Sequence, residues 1–270
     1  MSREHSMQNL IKFKSEVKGN KCAILICIHG NEPCGYFALR EIMKNFKILS
    51  GELYIILGNP KAFLLNKRFY ETDLNRCFID SKDNSYESNR SIQISKILDK
   101  VDSVLDIHSS FVKESPIFSI CEKETINLSD NFNTEYNIVN LKEFHKGSTD
   151  YYMHKQKKEG LCIECGYHES KDAKNIALNA IKTFLQIKKI SNFGLKLNQN
   201  KPKQLIANSC YLTKNNFSLI KEFSDFEKVK KNQTIGFDGN IKIESKIDAY
   251  IVFAKNCNNK NQEAFVLLTE

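Results

Sequence analysis

The sequence predicts an α/β fold: a mostly parallel or mixed sheet with helices on both faces, followed by a small β-rich C-terminal domain. Three observations carry this. Residues 22–28, 52–57 and 103–107 are near-continuous apolar runs of strand length, as expected where both faces of a parallel sheet are covered. Segments of helical period separate them. After residue 191 that period disappears and short alternating segments take over. With 270 residues the chain can hold one large domain and a small second one, divided as 1–191 and 192–270.

The first run ends in Ile28-His29-Gly30-Asn31-Glu32-Pro33. Gly30 allows a sharp turn, Pro33 suits the first position of a helix, and Phe37, Ala38, Ile42 and Phe46 recur at helical spacing. Residues 52–57 form the second strand, closed by Gly58-Asn59-Pro60, and a long connection over residues 61–87 follows; at that length it is expected to be functional. Ile92, Ser95, Leu98 and Val101 mark a helix face, and residues 103–107 a third strand ending in His108. Residues 117–121 and 136–139 are short strand candidates, 149–158 a helix and 161–163 a buried strand. Ile176, Ala180, Ile181, Phe184 and Ile187 form the inner face of another helix. Beyond residue 191 strands are expected at 204–212, 240–244 and 249–253, with Asp238-Gly239 as a hairpin signal.

The net charge of +8 raises the question of nucleic-acid binding, but of 40 basic residues only Arg3, Arg40, Arg68, Arg76 and Arg90 are arginine. Scattered lysines without clustered arginine and interleaved aromatics argue against such a partner. The first twenty residues are polar, and no apolar stretch has the length of a membrane span or signal peptide, so a cytoplasmic protein is expected. Nine cysteines without a regular framework read as free thiols. In Cys162-Ile163-Glu164-Cys165 the two thiols resemble a redox pair, but on a strand they point to opposite faces with Cα atoms about 10 Å apart, too far to bridge. Whether the chain forms a homo-oligomer is left open.

His29 and Glu32, held together at a strand end, make two-thirds of a catalytic zinc site, which uses three protein groups and keeps one position open. His108 supplies the third ligand if its strand lies near the first. Asp106, two residues earlier on the same strand face, can accept an imidazole N–H and fix a ligand ring. Glu164 also ends an apolar strand, where a carboxylate needs a cation, a donor or water; beside a zinc-activated water it can serve as general base. Arg68, Asn75 and Arg76 complete a substrate clamp. In a chain that nearly always chooses lysine, two arginines within nine residues suggest a geometric need, paired hydrogen bonds to a carboxylate or an oxyanion.

These stretches together resemble the succinylglutamate desuccinylase and aspartoacylase family, a branch of the zinc carboxypeptidase clan. The matching segments are His29-Gly30-Asn31-Glu32-Pro33, Asn59-Pro60-Lys61-Ala62, Arg68 with Asp73-Leu74-Asn75-Arg76-Cys77-Phe78, Asp106-Ile107-His108, and Ser148-Thr149-Asp150-Tyr151 leading to Glu164-Cys165-Gly166. The tail, with Tyr250-Ile251-Val252-Phe253 and Glu263-Ala264-Phe265, looks similar too. The resemblance implies a zinc-carboxypeptidase-like fold and one zinc ion per chain on His29, Glu32 and His108. It implies Glu164 as base, Arg68 polarising the scissile carbonyl, and Asn75 and Arg76 on the carboxylate of a small anionic N-acyl amino acid. The segment before the catalytic Glu, where aspartoacylases carry a Tyr and an Arg, here offers Tyr151, Tyr152 and His154; Tyr151 is the expected substrate contact. A Tyr before the terminal Glu-Ala-Phe is replaced by Asn258-Asn259-Lys260-Asn261, so the resemblance fixes neither acyl group nor amino acid. A zinc carboxypeptidase acting on short peptides and a non-catalytic zinc- or ligand-binding protein are the alternatives. His5, His145 and His168 receive no role.

Overall fold

A computed structural model describes residues 9–79, 84–197 and 201–270. Arg3, His5 and residues 80–83 of the long connection lie outside these, as do residues 198–200. The first part of the chain runs β1 (Leu10–Lys14), β2 (Lys21–Ile26), α1 (Cys34–Ile42), β3 (Glu52–Leu57), α2 (Pro60–Leu64), α3 (Tyr86–Leu98) and β4 (Ser103–Ser110). It continues through β5 (Ile117–Cys121), α4 (Ile126–Ser129), β6 (Tyr136–Val139), α5 (Thr149–Lys155), β7 (Glu159–Tyr167) and α6 (Ala173–Ile187). The described residues beyond are all-β: β8 (Lys203–Leu212), β9 (Phe217–Leu219), β10 (Glu227–Val229), β11 (Thr234–Asp238), β12 (Ile241–Glu244), β13 (Ala249–Val252) and β14 (Glu263–Thr269).

The apolar runs become the parallel centre of a mixed sheet ordered β1-β3-β2-β4-β7-β5-β6-β8-β14-β13-β10. β3, β2, β4 and β7 are parallel, β1 caps one end in reverse, and β5 reverses against β7. The pleat of β2 explains why its sequence does not alternate. Cys22, Ile24 and Ile26 enter a core with Ala38 and Leu39 of α1 and Ala177 and Phe184 of α6. Ala23 and Leu25 enter the opposite core with Ile94 and Leu98 of α3 and Met153 of α5. Each large side chain so buried contributes about 1.5–3 kcal/mol, and a one-residue slip would exchange the two faces. Cys162 and Cys165 of β7 are likewise in different cores, and both are free thiols.

The β-rich C-terminal part is present, and it extends the same sheet. β8 pairs in parallel with β6, Tyr136 opposite Lys203, and β14, β13 and β10 follow antiparallel. β9, β11 and β12 form a small separate sheet, with Asp238 paired to Ile241 across the two-residue loop Gly239-Asn240. Gly239 takes φ +61°, as that hairpin requires.

Two helix faces differ from the sequence expectation. Phe37 and Ile92 are 45% and 54% exposed, and Phe46 lies beyond the end of α1, against Phe13. The buried stripe of α1 is Cys34, Gly35, Ala38, Leu39 and Ile42, mostly small because the helix sits close on the sheet: a Cβ on Gly35 would lie 2.7 Å from Ile26. α3 buries Ser88, Ser91, Ile94 and Leu98, and the Ser91 hydroxyl donates to Cys77 O. Small and polar residues at a tight contact carry no hydrophobic signal. No helix of the described residues is long and apolar enough to cross a membrane.

Candidate active site

β2 and β4 are adjacent and parallel, Ile26 opposite Ile107, so their carboxyl ends open side by side. His108 lies near the end of β4, and Glu164 pairs opposite it on β7. After β2 the chain turns through Cys27 at φ +52° to His29, and Glu32 N donates to His29 O at 3.2 Å. Gly30 is required here by close approach. A Cβ would fall 2.1 Å from the backbone carbon of Ala62 in α2, while Gly30 N donates to Arg68 O. The turn is thus wedged between α2 and the arginine-bearing loop, which fixes Glu32 beside His29.

His29 Nδ1 lies 2.8 Å from Glu32 Oε1, and His108 Nδ1 lies 3.0 Å from Glu32 Oε2. Ser109 N also donates to Glu32 Oε2. Each imidazole is backed by a carboxylate on its other nitrogen. His29 Nε2 is 3.1 Å from Asp73 Oδ1, and His108 Nε2 is 3.0 Å from Asp106 Oδ2. Asp106 is fixed in turn by the Thr149 hydroxyl. All three residues are buried, and their ligand atoms lie within 4.8 Å of one another; among the described residues this is the group that could hold a metal ion. Two inward imidazole nitrogens, one carboxylate and outer carboxylates that orient the rings fit a divalent ion with an open position.

The charges are strongly coupled to this geometry. Burial alone would raise the Glu32 carboxyl, but His29 and His108 hold it below the ordinary carboxylate range. Burial likewise opposes the charged form of His108, yet Asp106 and Glu32 push it upward. Glu164 behaves oppositely. Burial, with Glu32 and Asp225 adding to it and His108 and Arg68 opposing, pushes its carboxyl up to about 8, and its Oε2 is buried without a hydrogen-bond partner.

These residues line a cavity that leaves about 80 Å³ for the centres of water-sized molecules, room for a handful of waters or a small molecule. Arg68, Asn75 and Arg76 line it too. Arg68 Nε and Nη2 donate to Asp73 Oδ2 at 3.2 and 2.9 Å, and its Nη1 lies 3.7 Å from Glu32 Oε1. Asn75 Oδ1 accepts from Thr149 N at the start of α5. Arg76 is engaged by a residue from the far end of the chain: its Nη2 donates to both oxygens of Glu263, at 3.2 and 2.8 Å. Tyr151 is not brought into the cavity. It follows buried Asp150 on α5, and one helical step turns it to a surface depression shared with Lys142 and Lys155.

Four further residues shape the site. Asp73 sits inside the expected motif without an assigned role; it caps the turn over Leu74–Arg76 and backs both His29 and Arg68. Glu87, buried at the start of α3, accepts from Asn59 Nδ2 and from the backbone N–H groups of Tyr70, Glu71 and Thr72, tying the loop to the fold. A charged residue in the first turn of an amphipathic helix gives no sign of this. His145 lies 2.7 Å from Glu263, and both line the cavity. The Glu-Ala-Phe match at Glu263 was the available signal for that pair.

A sequence model of the succinylglutamate desuccinylase/aspartoacylase catalytic domain matches residues 18–189. The chain belongs to that family. Within the family, a probable aspartoacylase of Nostoc sp. is 42% identical over 106 residues, covering 34% of this chain and 36% of the relative. A probable aspartoacylase of Trichodesmium erythraeum is 34% identical with the same coverage, so the match spans about a third of these relatives' length. Among solved structures, the Vibrio cholerae succinylglutamate desuccinylase superposes with a TM-score of 0.79 at 15% identity, over 97% of this chain and 85% of that one. The product-bound ectoine utilization protein EutE (DoeB) of Ruegeria pomeroyi gives 0.76 at 17%, over 97% and 88%. The shared fold of the succinylglutamate desuccinylase/aspartoacylase family therefore extends through the C-terminal strands.

Proposed function

We propose that the protein is a zinc-dependent amidohydrolase that releases the amino acid from a small anionic N-acyl amino acid, acting in the cytoplasm. The observation that carries this is Glu164: a buried carboxylate with one oxygen lacking a partner, in the same cavity as the His29-Glu32-His108 cluster. Zinc held by those three residues would supply Lewis acidity towards the amide carbonyl and lower the pKa of a neighbouring water. Glu164, whose ionised form the charge of that ion would also favour, takes the proton of the attacking water and returns it to the departing amine. Arg68, whose Nη1 lies 3.7 Å from Glu32, holds the oxyanion. Asp73 and Asp106 keep the two imidazoles in the ligating orientation. Asn75 and Arg76 contact the substrate, and Tyr151, outside the cavity, has no part in this mechanism.

Residues 1–191 provide the catalytic part, and 192–270 narrow the cavity through Lys255 and Glu263. That narrowing favours acyl amino acids over polypeptides. The free thiols agree with a reducing compartment. The test is amino-acid release from N-acetyl, N-formyl and N-succinyl amino acids and from a short peptide, with and without a chelator. Chelator-sensitive release from an acyl amino acid is expected; release from the peptide alone would replace this reading with a carboxypeptidase.

A further inference from the structure

The cations of the cavity are unequally engaged. Arg68 is held by Asp73, and Arg76 by Glu263. Lys255, just beyond β13, lines the same cavity, and its backbone N–H donates to Ala264 O. Among the described residues its ammonium has no ion pair, no hydrogen bond and no ring beneath it, although it is half-buried. Burial and then Arg68, a like charge, lower its pKa against the pull of Glu263 and Asp73. Both carboxylates are engaged elsewhere, Glu263 by Arg76 and His145 and Asp73 by Arg68 and His29, so the half-buried ammonium has no anion in direct contact, an arrangement that a bound anion improves. Arg76 cannot grip a new carboxylate in paired fashion without releasing Glu263, so the cation open to an incoming anion is Lys255.

We propose that Lys255 binds the carboxylate of the substrate and makes the site selective for N-acyl amino acids with a free carboxylate. This rests on the amidohydrolase reading for the identity of the ligand, and on the cavity alone for the anion preference. A lysine presents a compact charge with three rotatable donors, so it selects for charge and tolerates variation in where the carboxylate sits. Arg76, fixed by Glu263, then acts as a wall of the pocket and not as its anion hook.

The test separates binding from turnover. Zinc-loaded Glu164→Gln and Glu164→Gln/Lys255→Met proteins are titrated by calorimetry with N-acetyl-L-leucine, N-acetyl-L-leucinamide, N-acetyl-L-aspartate and N-succinyl-L-glutamate. The parent is expected to bind at least one free acid, and to prefer N-acetyl-L-leucine over its amide if that is the acid bound. Lys255→Met should weaken binding of the acid by about 10–100-fold, the loss of one charge-assisted contact, and leave the amide unchanged. Lys255→Arg should restore part of the acid's affinity. Undiminished acid binding in Lys255→Met, or no binding of any acid by the parent, overturns the proposal. Hydrolysis is read in the zinc-loaded protein with Glu164 intact: Lys255-dependent binding of acids that this protein does not hydrolyse would refute the amidohydrolase reading and leave this one standing, and hydrolysis with Lys255-independent affinity would do the reverse.

Discussion

Glu164 and Glu32 are both buried carboxylates at the same sheet end, yet their environments push them apart: two imidazoles keep Glu32 charged, while Glu164 is raised to about 8. In the proposed mechanism Glu32 is the ligand and Glu164 the proton carrier. Glu164→Gln should therefore keep one zinc per chain, read by elemental analysis, and lose about 10²–10⁴-fold in turnover. His108→Ala should lose the metal itself; stoichiometric zinc in that variant would remove it from the ligand set. The candidate cluster was legible because His29, His108 and Glu164 each follow an apolar run and Glu32 lies three residues after the first of them. Asp73 was not, because an aspartate ahead of a short turn reads as a cap, and it is one, with Oδ1 accepting from Asn75 N. Its second duty, backing His29, depends on a loop path that sequence spacing does not encode.

At the scale of elements, the arginine loop depends on a single buried group. Four donors converge on Glu87, and Glu87→Ala would leave them unsatisfied at about 1–3 kcal/mol for each that finds no water. A loss of several kcal/mol in urea unfolding is expected, with Arg68 displaced and turnover reduced. Gly30→Ala should do comparable harm by another route, since its methyl would meet the α2 backbone at 2.1 Å. The strands were readable because burial on both faces makes a sequence continuously apolar. The helix faces were read less well: α1 and α3 meet their neighbours through Gly35, Ala38, Ser88 and Ser91, residues chosen for closeness of approach. Tyr151 was misdirected for a related reason, a one-residue step around α5 that a motif match does not register.

For the whole molecule, the contacts of Glu263 with Arg76 and His145 join the arginine loop to β14 across the cavity. Against the effect of burial, His145 and Arg76 hold the Glu263 carboxyl below its ordinary range. Its contribution to stability is therefore complete above about pH 4.3 and is lost as pH falls through the depressed folded value. Glu263→Gln should unfold at lower urea than the parent at pH 7, and the gap should close as pH falls below about 4. The thiols give a second global readout. Burial pushes Cys22 and Cys121 up to about 12, so a thiol reagent at neutral pH should label the native protein slowly and all nine cysteines after denaturation.

The parallel pairing of β8 with β6 has a bearing on what the protein can survive without. β6 would otherwise present an open row of peptide groups beside Phe118 and Ile138, both fully buried, and such an edge templates association between chains. A fragment limited to residues 9–189 keeps β1 and every residue of the candidate metal cluster yet bares that edge, and it is expected to aggregate on expression where the full chain stays monodisperse in sedimentation. The C-terminal strands thus act as a selvage, keeping the catalytic weave from fraying into its neighbours.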